Sequence, residues 1–306
     1  MSYKDLIQSL NTISAINLTP FYEDTKEIDW NSLEKNINFL IDHGVKVIVP
    51  GGNTGEFYAM SLEEVKQVTK KVIDIVNRRA VVMVGIGYAV PTAIELGRYA
   101  QAAGADCVMI HQPIHPYSNN KGAVDYFHEI INALDIPTVL YFKNPNLSDD
   151  VLKELAPLEK FIGVKYAIND FPRFTKTIRS MPKQHQLAWI CGTAEKWAPY
   201  FFLAGATGFT SGLVNIYPEK SFELLDALKK KEVDKVWEIW EELLPFEELR
   251  AKNNDGNNVA VIKEALRQIG FTAGVTRPPV AELDESDKLA VAKILQSWGL
   301  LNKTMV

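Results

Sequence analysis

Eight short apolar segments recur along this chain, and each is followed by a stretch with helical periodicity. That alternation limits the fold more than any other feature. The apolar segments fall at Ala15–Pro20, Val45–Pro50, Ala80–Val84, Asp106–Ile110, Pro137–Tyr141, Phe161–Lys165, Gln186–Cys191 and Gly208–Thr210. Between them lie helix signals. Ser61 and Glu64 form a capping box ahead of the stripe Leu62, Val65, Val68, Val72 and Val76, and Thr92 with Glu95 reads as a second box. Gly44 and Gly104 close two helices as C′ residues. Strict strand–helix alternation implies parallel strands.

Eight such units fit a (β/α)8 TIM barrel of about 250 residues. A doubly wound open sheet is the other candidate. It usually has fewer strands, and no glycine-rich dinucleotide fingerprint follows the first strand here. The alternation stops near residue 227. Helical stripes then continue, as in Val233, Val236, Trp237, Trp240 and Leu244, or Val259, Ile262, Leu266 and Ile269. The expected organisation is a barrel over residues 1–226 that carries the active site, with a C-terminal helical extension over residues 227–306. The tryptophans of the extension follow the helix period and read as packing groups.

Composition narrows the function. Of 306 residues, 47% are hydrophobic and 23% charged, as expected of a globular protein. A net charge of -5 without clustered Lys and Arg argues against a nucleic-acid partner. No apolar run reaches the roughly 20 residues of a membrane span, and the first ten residues lack a signal-peptide core. Cys107 and Cys191 sit in apolar runs and read as core residues, consistent with a reducing cytoplasm.

In a barrel of this class the active site lies at the C-terminal ends of the strands. Those ends deliver Thr19; the Gly51–Gly55 loop with Gly52, Asn53 and Thr54; His111 and His115; Tyr141; Lys165; Gly192 and Thr193; and Thr210 with Ser211. One amine, one phenol, several hydroxyls and a glycine-rich loop whose N–H groups face an anion make a coherent set. A lysine at the end of a buried strand loses solvation, which favours its neutral, nucleophilic form. The plain alternative is a lysine that marks the strand end and reaches water. Paired glycosidase carboxylates are absent from the set. His111 and His115 are four apart, but Pro113 and Pro116 interrupt the segment, so helical metal-ligand spacing does not apply and no metal is expected.

These residues resemble the dihydrodipicolinate synthase / N-acetylneuraminate lyase family of class I, Schiff-base-forming aldolases. Gly51-Gly52-Asn53-Thr54-Gly55-Glu56-Phe57 is similar to the family's GxTGE loop, and Gly163-Val164-Lys165 to its Schiff-base strand. Tyr141 stands at the expected place after the fifth strand. The resemblance implies that Lys165 forms an imine with pyruvate or a related 2-oxo acid, with no other cofactor. Tyr141 would shuttle protons with Thr54 as its hydroxyl partner. Gly52, Asn53, His115, Gly192, Thr210 and Ser211 would contact substrate, and Glu56 would bond within its own loop. It also implies a cytoplasmic homodimer or homotetramer.

Some positions depart from the synthase pattern. Asn53 replaces the first of two threonines, His115 stands in place of an interfacial tyrosine, and Lys143 is the nearest cation where an arginine follows the tyrosine. Gly55-Glu56-Phe57-Tyr58 and Arg277-Pro278-Pro279 resemble the 5-dehydro-4-deoxyglucarate dehydratase branch. The expected reaction is therefore dehydration and decarboxylation of that sugar diacid. Condensation of pyruvate with aspartate semialdehyde, as in 4-hydroxy-tetrahydrodipicolinate synthase, is the alternative, along with other 2-oxo acid aldolases. A keto-acid-binding barrel without turnover and a metal-dependent aldolase complete the alternatives.

Overall fold

The computed structural model of the protein describes residues 2–182 and 185–301. Eight parallel strands close into a barrel in chain order: β1 (Ile13–Ala15), β2 (Val47–Ile48), β3 (Val81–Ile86), β4 (Cys107–Ile110), β5 (Thr138–Phe142), β6 (Phe161–Tyr166), β7 (Ala188–Cys191) and β8 (Gly208–Ser211). The closing pair is β1 with β8, in register Ile13 to Phe209 and Ala15 to Ser211. Among the described residues no helix is long and apolar enough to cross a membrane.

Alternation of side chains sorts the strands into two cores. Val47, Met83, Met109, Val139, Tyr141 and Ile190 fill the barrel interior. Ile13, Val84, Val108, Val164, Phe209 and their neighbours face outward onto the helices. The outer ring comprises α1 (Tyr3–Ser9), α2 (Trp30–Asp42), α3 (Leu62–Val76), α4 (Val90–Ala103), α5 (Asn120–Ala133), α6 (Asp150–Leu155), α7 (Phe171–Ser180), α8 (Ala194–Ala204) and α9 (Pro218–Lys230). The extension adds α10 (Val233–Ala251), α11 (Asn258–Gln268) and α12 (Glu285–Ser297). The expected boundary at residues 226–227 falls inside α9; residues 302–306 of the extension lie outside the described residues.

Several local expectations shift. The Ser61–Glu64 capping box forms, with Glu64 N–H donating to Ser61 Oγ at 3.2 Å and Ser61 N–H to Glu64 Oε2 at 2.9 Å. The Thr92–Glu95 box does not form, because α4 already begins at Val90. The first strand is Ile13–Ala15, not Ala15–Pro20, since only the earlier residues find ladder partners on β2 and β8. α1 was not anticipated. Its Leu6, together with Leu10, joins the inner core cluster, so this short helix packs against the barrel interior.

Candidate active site

The site begins with register. β5 and β6 pair Tyr141 with Lys165 directly, so both side chains point into the barrel at one level. A register shift at Thr138/Val139 absorbs one extra residue on β6 and places Gly163 and Lys165 inward, Val164 and Tyr166 outward. Lys165 Nζ lies 4.0 Å from the Tyr141 ring centroid, and Lys165 is only 4% exposed. Burial pushes the Lys165 ammonium down to about 7, and the nearby positive charge of Lys143 adds to the effect. Burial pushes the Tyr141 phenol up to about 12, with Asp255 adding to it. At neutral pH a large fraction of Lys165 is therefore the free amine, and Tyr141 keeps its proton.

The loop after β2 folds on its own carbonyls. Gly52 O accepts from Gly55 N–H at 3.0 Å, and Asn53 O from Glu56 N–H at 2.9 Å. The N–H groups of Asn53 and Thr54 have no protein acceptor among the described residues. Gly51 adopts φ +76 where a Cβ would stand 2.9 Å from Gly85 O, so only glycine serves there. Glu56 is also left-handed, at φ 58, an unusual conformation for a side-chain-bearing residue. It is held by a buried ion pair to Lys263 at 2.5 Å, and its Oε2 accepts from Arg277 N–H at 2.9 Å. Lys263 donates further to Thr19 O at 2.9 Å and Val275 O at 2.7 Å, while Thr19 Oγ1 donates to Gly55 O at 2.8 Å. Glu56 thus bonds to the extension instead of within its own loop.

One cavity of about 370 Å³ joins these elements. Of the residues expected at the site, Lys165, Tyr141, Asn53, Thr54, Gly192 and Thr210 line it. The side chain at the Tyr141 hydroxyl is Asn53, whose Nδ2 donates across 3.4 Å; the expected hydroxyl partner Thr54 makes no such contact. Three expected residues lie elsewhere. Ser211 is one position beyond the inward Thr210, so strand alternation turns it outward, where it donates to Glu195 Oε1 and accepts from Val214 N–H at 2.9 Å. His115 sits on the exposed β4–α5 loop, its Nδ1 accepting from Tyr117 N–H at 3.1 Å. Gly52 is buried behind the loop against Ile16, whose Cγ2 would lie 2.5 Å from an added Cβ.

His111 parts company with His115. It is fully buried, stacks on Phe57 at 4.6 Å with an 8° interplanar angle, and donates from Nε2–H to Gly51 O at 2.8 Å. Burial drives it down to about 3, so it stays neutral and braces the loop. Arg277, the reason for expecting a dehydratase-type C-terminal motif, bonds Glu64 Oε1 at 2.7 Å and covers the Phe21 ring at 3.9 Å. Phe57 and Arg277 take packing roles outside the cavity.

The extension contributes lining that the strand-end rule does not reach. Glu247 and Arg250 come from the end of α10, Asp255 from the following turn and Asn258 from the start of α11. Asn253, Asn254 and Asp255 are left-handed in succession, at φ 57, 55 and 64, which carries the chain sharply from α10 into α11.

A model of the dihydrodipicolinate synthetase family matches residues 9–298. The 4-hydroxy-tetrahydrodipicolinate synthase of Methanoculleus marisnigri is 32% identical over 288 residues, 92% of this chain and 97% of its own. The crystal structure of dihydrodipicolinate synthase from Oceanobacillus iheyensis is 57% identical with a TM-score of 0.96, over 98% of this chain and 100% of that one. The chloride-inhibited dihydrodipicolinate synthase from Acinetobacter baumannii, crystallised with pyruvate, is 28% identical with a TM-score of 0.87, over 96% of this chain and 100% of that one. With a match across nearly its whole length, the chain belongs to the dihydrodipicolinate synthetase family, whose enzymes are class I aldolase-type lyases working through a lysine Schiff base without an external cofactor.

Proposed function

We propose that Lys165 forms an imine with pyruvate or a related 2-oxo acid, and that the resulting enamine attacks an aldehyde. The free N–H groups of Asn53 and Thr54 receive the carboxylate. The neutral amine adds to the ketone carbon, and Tyr141 donates its proton as the carbinolamine oxygen leaves as water. The positively charged iminium then acidifies the neighbouring carbon. The Tyr141 phenolate takes a proton from that carbon to give the enamine, and hands it to the aldehyde oxygen as the new carbon–carbon bond forms. Water finally releases the product and restores the amine.

The observation that carries this reading is the buried Lys165 amine 4.0 Å from the Tyr141 ring, in one cavity with the loop after β2. The names of the relatives support condensation of pyruvate over dehydration of a sugar diacid, and aspartate semialdehyde is the aldehyde their reaction suggests. Phe57 and Arg277, two of the residues that leaned toward the dehydratase, make their contacts outside the cavity. Borohydride reduction in the presence of pyruvate should add the corresponding mass at Lys165. Folded protein that gives no adduct with any 2-oxo acid would sink the proposal. Consumption of pyruvate with aspartate semialdehyde, set against consumption of 5-dehydro-4-deoxyglucarate, separates condensation from dehydration.

The proposal extends to assembly and location. Ile114 and Tyr117, 57% and 86% exposed on the β4–α5 loop, support a homodimer or homotetramer joined near the barrel mouth; light scattering tests it. The two buried free thiols are compatible with the cytoplasm.

A further inference from the structure

Pyruvate does not fill this cavity. At about 30 Å³ per water-sized group, a volume of about 370 Å³ has room for roughly a dozen such groups, about twice the six non-hydrogen atoms of pyruvate. The surplus is walled by the extension, where the principal cation is Arg250.

Arg250 is 4% exposed and lines the cavity. Its Nη1–H donates to Glu247 Oε1 at 2.5 Å and its Nη2–H to Asn258 Oδ1 at 3.0 Å. These take two of the five N–H donors that a guanidinium carries. Nε–H is buried and has no acceptor among the described residues. A buried, unsatisfied donor on a charged group is costly unless something else supplies the acceptor. The fold also makes space for this head group. Gly212, directly after β8, has no Cβ, and one built there would stand 2.7 Å from Arg250 Nη2. Glu247 balances the charge, so Arg250 offers directed donors without a strong net field.

We infer that Arg250 is a specificity-determining residue, which receives an oxygen on the distal part of the aldehyde substrate while Lys165 holds the 2-oxo acid. This rests on the condensation reading above. The distal oxygen belongs to a carboxylate or a hydroxyl, and two aldehydes tell them apart: aspartate semialdehyde carries the first and glyceraldehyde the second. Propionaldehyde carries neither.

The test is steady-state kinetics with pyruvate and each of the three aldehydes, for the wild type, Arg250→Gln, Arg250→Lys and Gly212→Ala, alongside borohydride trapping of pyruvate. The wild type should prefer at least one oxygenated aldehyde to propionaldehyde. Arg250→Gln should raise the KM of that aldehyde tenfold or more, while the KM of propionaldehyde and that of pyruvate move less than twofold. Arg250→Lys should fall between, because a single ammonium cannot reproduce the fork of donors. Gly212→Ala displaces the guanidinium without removing it and should act in the same direction. It keeps the question open to measurement even where loss of Arg250 leaves Glu247 unpaired and the variant does not fold. An equal KM change for all three aldehydes, no change for any, or a wild type without preference for an oxygenated aldehyde overturns the assignment. A wild type that traps no 2-oxo acid removes the underlying reading itself, a result distinct from these.

Discussion

Two lysines are buried among the described residues, and their surroundings differ. Lys263 is 0% exposed and fully provided for: a carboxylate from Glu56 and the carbonyls of Thr19 and Val275 surround its ammonium. Lys165 is 4% exposed and faces an aromatic ring, another cation and a cavity. The first arrangement still leaves the ammonium below its ordinary pKa through burial, but Glu56 offsets part of that cost and the pair fixes a loop. The second disfavours the charge and frees a lone pair. Burial alone does not make a lysine reactive; burial without a carboxylate does.

The sharpest way to break the comparison is to remove each amine. Lys165→Ala is expected to abolish borohydride trapping with pyruvate and to lower turnover by about a thousandfold or more, as loss of a covalent nucleophile does. The same protein should be as stable as the wild type or more so. Lysine's folded pKa of about 7 lies below its ordinary value near 10.5, so the native chain binds fewer protons than the unfolded chain between those limits. The stability cost of Lys165 is therefore full below pH 7 and fades as pH rises toward 10. At about 1.4 kcal/mol per unit it is at most about 5 kcal/mol. Thermal unfolding of Lys165→Met should show the larger gain at pH 6 and little at pH 10. A loss of stability at pH 6 would contradict the assignment of an unpaired, buried amine.

Lys263→Met should do the reverse. It leaves Glu56 buried without its cation, at a cost of about 3–5 kcal/mol. Denaturant midpoints would measure this, and the double variant with Glu56→Gln should recover part of it. A Lys263→Met protein of unchanged stability would mean that the ion pair does not hold the loop. Tyr141→Phe keeps the ring beside Lys165 but removes the proton donor, and should reduce turnover by about 100-fold or more. The smallest effect belongs to Lys143→Met. Removing that charge should move the midpoint of the pH–trapping profile upward from about 7 by roughly half a unit. A downward move would show that Lys143 does not act on Lys165 through its charge.

The contrast also explains what the sequence revealed. Lys165 and Tyr141 were legible because each ends an apolar strand, and parallel register then sets them side by side. The eight-fold alternation was equally plain, being a local periodicity. Ser211 was misjudged although the signal existed: once Thr210 faces in, its neighbour faces out. α1 likewise had a signal in Ser2 and Asp5, which form a capping box. The first strand was set too late because Ile16 and Leu18 continue the apolar segment past Ala15, where the chain has already left the ladder. Arg250, Asp255 and Asn258 gave no local hint. They reach the cavity through the packing of α10 and α11 over the barrel mouth, and nothing in their own neighbourhood of the chain encodes that destination. Lys263 likewise gave no local hint, since its partner Glu56 is on the far side of the sequence.

That distance has a consequence in time. The loop that presents Asn53 and Thr54 is made early, and Tyr141 and Lys165 near mid-chain. The side chain that clamps Glu56 is added only when more than four-fifths of the chain exists. A nascent chain thus carries Lys165 well before the loop around Glu56 is secured. The order of synthesis makes α11 the part that completes the clamp on Glu56. Chains that end before residue 263 lack the clamp on Glu56 and should trap pyruvate poorly.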